Sequence, residues 1–168
     1  RCLRDAFRED PLVGAGSPLA TAEEYEAVGL DVFRWFLWVF QTFHMTECAL
    51  AEDQGGDSAT QDGVLAAALW EPASPTLGFA LRMVAFVCWN FWARGFYRAV
   101  QLGRFFLALE AKRHEHAPTA HHLQILGTDP AAQGQGVGSA LIRMGIERAQ
   151  SLGLPCYLES SNPKNVPF

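Results

Sequence analysis

The sequence predicts a single α/β domain, and three observations support this fold class. The chain has 168 residues, of which 49% are apolar and 18% are charged, as is typical of one domain with a buried core. Apolar residues recur with the period of a helix in some stretches and of a strand in others. After Pro118 the sequence indicates a strand, a glycine-rich loop, a helix and a strand in quick succession. We therefore expect one domain over residues 1–168.

The first long helix is predicted over Glu23–Thr46, after a loop over Pro11–Pro18. The helical segment contains no proline, and Thr21 followed by Glu24 is typical of a capping box at its start. Apolar residues spaced three and four apart form the stripe of an amphipathic helix. This stripe comprises Tyr25, Val28, Val32, Trp35, Phe36, Val39 and Phe43.

Two short strands, Glu47–Glu52 and Gly63–Trp70, are predicted next. They flank the polar stretch Asp53–Asp62 and favour an antiparallel hairpin. The following segment is helical, and we expect it to be an insertion at about residues 76–113 that Gly95 and Gly103 divide. The residues predicted to face inward are Leu77, Leu81, Val84, Val87, Phe91, Tyr97, Val100, Phe105 and Leu109. The predicted polar side comprises Arg94, Arg98, Arg104, Lys112 and Arg113, which is interpreted as a solvated face.

The last third of the chain has the most regular pattern. His121–Thr128 is predicted as a strand, Gln133–Gly138 as a loop, Ser139–Leu152 as a helix and Pro155–Ser160 as a second strand. Gly153 follows the helix where a C-terminal glycine cap is expected. This arrangement places a glycine-rich loop between a strand and the amino end of a helix.

The glycine loop is the strongest chemical signal in the sequence. Glycines at 134, 136 and 138 remove Cβ atoms where a ligand must approach the main chain, and the helix amino end favours an anion. A Walker A loop would need a Lys after these glycines, and the dinucleotide fingerprint would need a glycine where Ser139 stands. The pattern therefore predicts a phosphate site of another kind.

The run Gln133-Gly134-Gln135-Gly136-Val137-Gly138 matches the Q/R-x-x-G-x-G/A signature of the GNAT family of N-acetyltransferases, and Leu126-Gly127-Thr128-Asp129-Pro130 resembles that family's lead-in to the loop. The resemblance implies a mixed, mostly antiparallel sheet with helices on both faces. It also implies a V-shaped splay between the fourth and fifth strands, which are the two strands after Pro118. The residues that it assigns to coenzyme A are Leu126, Gly127, Thr128, Gln133, Gly134, Gln135, Gly136, Val137, Gly138, Ser139 and Asn162.

The function implied by the resemblance is transfer of the acetyl group of acetyl-CoA to an amine of a small molecule or peptide. A non-catalytic coenzyme A or acyl-coenzyme A binding module, or an interaction scaffold of the same fold, is the alternative. Candidates for the general base are His122, Glu159 and Glu71. Each has a structural alternative: His122 as a surface histidine, Glu159 as an anchor for backbone N–H groups, and Glu71 as the end of a strand. The family's general acid, a tyrosine, would follow Phe168, so we expect a domain that is incomplete at both ends.

Charge and composition argue against other classes of function. The net charge of −5 provides no basic field for nucleic acid or anionic lipid, and the apolar runs are too short to span a membrane. Four histidines at 114, 116, 121 and 122 lack the spacing of a metal site, so no metal is expected. The four cysteines contain no C-x-x-C pair, which favours an intracellular, cytoplasmic protein, and Cys156 is predicted to lie in the core. The sequence names neither the amine acceptor nor the oligomeric state.

Overall fold

The computed structural model of the chain describes residues 1–11, 14, 20–41, 46–50, 63–71 and 76–165. Within these residues the helices are α1 (Cys2–Ala6), α2 (Ala22–Gln41), α3 (Leu77–His116) and α4 (Val137–Ser151), and the strands are β1 (Thr46–Leu50), β2 (Val64–Glu71), β3 (His121–Thr128) and β4 (Cys156–Leu158). Short 3₁₀ turns lie at Pro130–Ala132 and Pro163–Asn165. The predicted α/β class is confirmed.

The strands form one sheet in the order β1-β2-β3-β4. The β1–β2 and β2–β3 pairs are antiparallel, and the β3–β4 pair is parallel, so the sheet is mixed and mostly antiparallel as predicted. The β3–β4 pairing extends only from His121–Cys156 to Leu123–Leu158, whereas β3 continues to Thr128. The predicted V-shaped opening would begin at this point, and it stays a prediction.

A β-bulge interrupts β3. Leu69 of β2 pairs with Ile125, but the next residue, Trp70, pairs with Leu123, which leaves Gln124 as an extra residue on β3. A bulge of this kind changes which face of the sheet each later side chain points to. Side chains of β3 therefore alternate between the two sheet faces in one phase before Gln124 and in the opposite phase after it.

Contacts on the two sheet faces agree with this change of phase. His121 stacks on Trp70 with ring centroids 4.7 Å apart, and Trp70 lies directly against Gly145 of α4. Without the bulge, Gly127 would share the face of His121, because the two are an even number of residues apart. It lies instead against Leu3 of α1. The sheet is therefore covered by α4 on one face and by α1 on the other.

The remaining helices add to the α1 side. Phe33 of α2 packs beside Phe7, next to α1, with ring centroids 5.7 Å apart. The ring centroids of Phe36 of α2 and Phe86 of α3 are 4.8 Å apart, so α3 packs on the outer side of α2. Burial of aromatic side chains of this size provides much of the stabilisation in such a core. The prediction of helices on both faces of the sheet is confirmed.

Helix α2 begins as predicted and ends earlier. The Glu24 carboxylate accepts a hydrogen bond from Thr21 N at 2.7 Å, and Thr21 Oγ1 accepts one from Glu24 N at 3.2 Å, which is a complete capping box. The predicted end at Thr46 is wrong, because Thr46 pairs with Leu69 as the first residue of β1 and sheet pairing overrides the helical pattern. Of the predicted stripe, Tyr25, Phe36 and Val39 are buried, Val28, Val32 and Trp35 are half-buried, and Phe43 lies outside the described residues.

The hairpin of β1 and β2 has the predicted antiparallel pairing. The loop predicted over Asp53–Asp62 and most of the loop predicted over Pro11–Pro18 lie outside the described residues. The observed strands begin or end within one or two residues of the predicted bounds, apart from the part of Glu47–Glu52 that is not described.

Helix α3 differs from the prediction in its buried face. Gly95 has φ 82° and ψ 166° and divides the helix, whereas Gly103 lies in regular helix. Six residues predicted to face inward are exposed: Leu77, Leu81, Val84, Phe91, Tyr97 and Val100. The buried residues are Phe79, Phe86, Asn90, Ala99, Leu102 and Arg113. The helix carries apolar side chains on every side, so periodicity alone does not select the face that fits against α2.

Helix α4 starts at Val137, two residues before the predicted Ser139, and ends as expected. Gly153 has φ 67°, its N–H donates to Gln150 O at 3.0 Å, and Leu154 N donates to Ala149 O at 2.9 Å. These bonds form a Schellman motif that closes the helix. None of the helices in the described part of the chain is both long and apolar enough to cross a membrane.

Strand β4 is shorter than predicted. It spans Cys156–Leu158 rather than Pro155–Ser160. Cys156 is exposed, so its predicted place in the core is wrong. The parallel pairing with β3 limits the strand, because it provides partners for only three residues of β4.

Candidate active site

The three candidate bases form one hydrogen-bonded cluster. The Nδ1 atom of His122 lies 3.1 Å from Glu71 Oε2, and Nε2 lies 2.7 Å from Glu159 Oε2. The side chains of His122, Glu71 and Glu159 are 3%, 13% and 26% exposed. The structure therefore brings together residues that are up to 88 positions apart, and Glu159 is the member closest to solvent.

Strand register explains why these side chains meet. Glu71, the last residue of β2, is the cross-strand partner of His122, and paired residues point to the same face of a sheet. His122 is also the partner of Tyr157 of β4, with ring centroids 5.4 Å apart. Glu159 follows Tyr157 by two residues and thus returns to the same face. His121 stacks on Trp70 on the α4 side of the sheet, and neighbouring residues of a strand point to opposite faces. His122 and its partners therefore lie on the α1 side.

The hydrogen bonds determine the protonation state of the imidazole. An ionised carboxylate only accepts hydrogen bonds, so both ring nitrogens of His122 must donate when both glutamates are ionised. Burial lowers the pKa of His122, but its hydrogen bonds with Glu71 and Glu159 outweigh burial, and the pKa is raised overall. The position between two carboxylates therefore favours the imidazolium form of His122.

An arginine from the last turn of α3 lies near this cluster. Arg113 is 2% exposed, and its Nε donates to Glu110 Oε2 at 2.9 Å while Nη2 donates to Glu110 Oε1. The negative charges of Glu71 and Glu159 are among the causes that raise the pKa of Arg113, after its hydrogen bond with Glu110. The cluster therefore contains a second buried cation beside His122.

The sequence prediction missed Arg113 and placed it on the solvated side of the helix. Glu110 and Arg113 are spaced three apart, and such pairs are common on exposed helix surfaces. Nothing in the spacing distinguishes a buried arginine from a surface one. Only the packing of α3 against the rest of the molecule reveals its position.

The glycine loop leads directly into α4. Gly134 and Gly136 have φ 77° and 80°, a left-handed conformation that favours glycine, and open space surrounds the position of a Cβ at each. The Gln133 side chain donates to Thr128 O at 3.3 Å, and the Gln135 side chain donates to Ala131 O at 3.1 Å. Both glutamines thus fix the loop against the backbone before it.

The amino end of α4 is open to a ligand. Gly136 is the N-cap residue and provides no side-chain cap. The first hydrogen bond within the helix runs from Ala140 N to Gly136 O at 3.0 Å, so the N–H groups of Val137, Gly138 and Ser139 have no acceptor inside the helix. Converging N–H groups at the positive end of a helix fit a pyrophosphate.

The remaining predicted coenzyme residues lie on both sides of this loop. Leu126 and Thr128 are half-buried and pair with Ala68 and Ala66, so they point to the same face as Trp70 and α4. Gly127 points to α1 and can offer a coenzyme only its backbone. Asn162 is half-buried, and its Oδ1 accepts from Lys164 N at 3.0 Å as a cap of the second 3₁₀ turn. The coenzyme roles of these residues stay predictions.

The four predicted histidines lie in three different surroundings within the described part of the chain. No group of three or more His, Cys, Asp or Glu side chains there is arranged to hold a metal ion. His114 and His116 are exposed on the last turn of α3, whereas His121 is stacked on Trp70. Burial and the charge of Arg148 lower the pKa of His121.

A glycine loop at the amino end of a helix and a buried Glu–His–Glu cluster can next be compared with known proteins. Residues 92–168, a little under half of the chain, match the model of the acetyltransferase (GNAT) family. The matched stretch contains the glycine loop, α4, β3 and β4. It also contains His122, Glu159 and Arg113, while Glu71 precedes it.

Two individual proteins resemble the chain. A mycothiol acetyltransferase of Mycobacteroides abscessus is 43% identical over 54 residues, which are 30% of this chain and 18% of that protein. The crystal structure of an agmatine N-acetyltransferase mutant in its apo form has a TM-score of 0.49 and 21% identity, over 90% of this chain and 63% of that chain. The chain thus spans less than a fifth of the first relative and less than two thirds of the second.

Proposed function

We propose that this chain is the coenzyme-binding part of an N-acetyltransferase that transfers the acetyl group of acetyl-CoA to an amine of a small molecule or peptide. The main support is the open amino end of α4 behind the left-handed glycines of the loop. Its N–H groups and helix dipole suit a pyrophosphate, and nothing in this part of the protein occupies the space above Gly134 and Gly136.

In this proposal the pantetheine arm lies beside β3. Pairing between β3 and β4 stops at Leu123 and Leu158, so the edge of β3 from Gln124 to Thr128 has no partner on the β4 side within the described residues. Backbone N–H and C=O groups there can pair with the pantetheine amides, which satisfies groups that would otherwise lack partners. This is the role that a V-shaped splay between the two strands would have.

The cluster of Glu71, His122 and Glu159 provides the acid–base chemistry. Acetyl-CoA supplies an acetyl thioester: the amine nitrogen attacks its carbonyl carbon, the C–S bond breaks, and coenzyme A leaves as a thiolate that takes a proton from solvent. The amine must first lose a proton, and Glu159 is suited to accept it because its Oε1 has no hydrogen-bond partner within the described residues while Oε2 bonds His122. The imidazolium of His122, backed by Glu71, holds the Glu159 carboxylate in place.

The phosphate role of the loop can be tested with Gly136→Asp. A carboxylate at the amino end of α4 would repel the pyrophosphate and occupy its space, so we expect at least a tenfold weaker affinity for coenzyme A and acetyl-CoA, about 1.4 kcal/mol. Calorimetric titration measures this directly. Gly153→Asp is the matched control, because Gly153 also has a positive φ and open surroundings but lies at the other end of the helix.

An equal loss of affinity in both variants would contradict the assignment of the loop. Thiol release from acetyl-CoA, measured separately with phenylalanine, phenylalaninamide and phenethylamine as acceptors, separates the two classes of function. An N-acetyltransferase releases coenzyme A thiol in step with acetylated amine, whereas a binding module or scaffold releases none.

A further inference from the structure

Two buried polar atoms in the cluster have no hydrogen-bond partner. Within the described part of the chain, these are Nη1 of Arg113 and Oε1 of Glu159. The other guanidinium nitrogens of Arg113 donate to Glu110, and the other oxygen of Glu159 bonds His122. Neither unpaired atom bonds the other. Each is charged or carries part of a charge, so each is costly to leave unsatisfied.

The two atoms have opposite requirements. A guanidinium nitrogen can only donate a hydrogen bond, and an ionised carboxylate oxygen can only accept one. A single ligand that satisfies both must therefore present an oxygen to Arg113 and an N–H group to Glu159. The charges favour a cation at the glutamate, because the carboxylates of Glu71 and Glu159 share the single imidazole of His122.

We propose that Arg113 selects the acetyl acceptor, and that the acceptor is an α-amino compound whose carbonyl or carboxylate oxygen binds Arg113 while its amino group binds Glu159. An amino acid, an amino acid amide and the amino end of a peptide share this chemistry. The inference rests on the proposed function and narrows its acceptor. Both unpaired atoms are buried, so a side chain must move to admit the ligand, and Glu159, 26% exposed against 2% for Arg113, is the one nearer solvent.

Three matched probes test this selection. Phenylalanine, phenylalaninamide and phenethylamine share a side chain and differ only in the oxygen-bearing group. Calorimetric titration into the coenzyme-A-saturated chain should show at least tenfold tighter binding of phenylalanine or its amide than of phenethylamine. A preference between the first two identifies the bound oxygen as carboxylate or carbonyl.

Arg113→Gln should bring this ratio close to one, because it removes the donor that recognises the oxygen. Arg113→Lys keeps the positive charge but lacks the planar fork, and we expect it to lose most of the discrimination as well. Arg104→Gln, an exposed arginine on the same helix, is the control and should keep the wild-type ratio. Thermal melting of each variant separates a lost contact from a lost fold.

The inference is overturned if the wild-type chain binds the three probes equally or not at all, or if the ratio survives Arg113→Gln in a folded protein. The proposed function fails by a different result, the absence of coenzyme A binding or of thiol release. If coenzyme A does not bind, the titrations are repeated without it, and the ratio still decides the role of Arg113. Equal acetylation of phenethylamine and phenylalanine would preserve the proposed function and refute the selection by Arg113.

Discussion

At the scale of single residues, the position of His122 between two carboxylates links the site to the stability of the fold. Its hydrogen bonds raise its pKa above that of an exposed histidine despite the opposing effect of burial. A raised pKa means that the folded state binds the proton more tightly than the unfolded chain. The stabilisation is fully present below the pKa of the unfolded chain, about 6.5, and is lost as the pH rises through the higher pKa of the folded state.

This predicts that the stability advantage of the wild type over His122→Gln is larger at about pH 6 than at about pH 9. Thermal melting of both proteins across this range measures the difference, in which the opposite contribution of His121 cancels. For a domain of this size each kcal/mol corresponds to roughly 2–4 °C in Tm. A difference in Tm that stays constant with pH would show that His122 does not titrate as described.

The sequence identifies the residues of the site better than it predicts the hydrogen bonds among them. His122, Glu71 and Glu159 are predictable as candidates because each is a polar residue on a predicted strand or at its end. Their joint hydrogen bonding depends on the pairing register of three strands, which no local pattern specifies. Arg113 is missed because a glutamate–arginine pair at helical spacing is indistinguishable in sequence from a surface ion pair.

At the scale of elements, a glycine lets α4 pack closely against the sheet. A Cβ on Gly145 would overlap the indole ring of Trp70, which is almost fully buried. Helix α4 therefore packs against β2 at a distance that only glycine allows. Because the glycine loop precedes the same helix, this contact also positions the candidate phosphate site relative to the sheet.

Gly145→Ala is expected to destabilise the fold by about 1–3 kcal/mol or more, because neither the buried ring nor the helix can move without loosening the core. Gly103→Ala is the comparison: this helical glycine has nothing within 4 Å of its Cβ position, and we expect a gain of roughly 0.5–1 kcal/mol there. Chemical denaturation of both variants measures the two free energies of unfolding. If both substitutions proved equally harmless, the close packing of α4 would be refuted.

Element types follow well from the sequence, and their ends and faces follow less well. The capping box at Thr21 and the glycine closure at Gly153 are confirmed, because both depend on residues within a few positions. The buried face of α3 is wrong, because its apolar residues surround the helix and the partner is α2, which is distant in sequence. The end of α2 is wrong because β1 competes for Thr46.

At the scale of the whole molecule, β4 is the edge strand of the described sheet. It is three residues long, pairs only with β3, and leaves Leu158 53% exposed. An unpaired edge presents N–H and C=O groups that another strand can bind, and no Lys or Pro lies within the strand to prevent it.

We therefore expect this chain to associate with a second copy through β4 as its concentration rises. Leu158→Lys should shift the equilibrium towards the monomer, because a charge on the edge strand opposes pairing. Leu152→Lys is the control, since Leu152 is similarly exposed but lies after α4 and away from this edge. Size-exclusion chromatography with light scattering measures the mass. A monomeric wild type at all concentrations would contradict the open edge.

The extra residue at Gln124 has a consequence for how such a protein can diversify. It places His122 on the α1 side of the sheet and Leu126 and Thr128 on the α4 side, although all belong to one strand. In the proposed function, substitutions near the acceptor therefore lie on the opposite face of the sheet from those beside the coenzyme. Deletion of Gln124 would restore one continuous alternation along β3 and turn His122 towards the α4 face, which would bring the two sets of residues onto the same side.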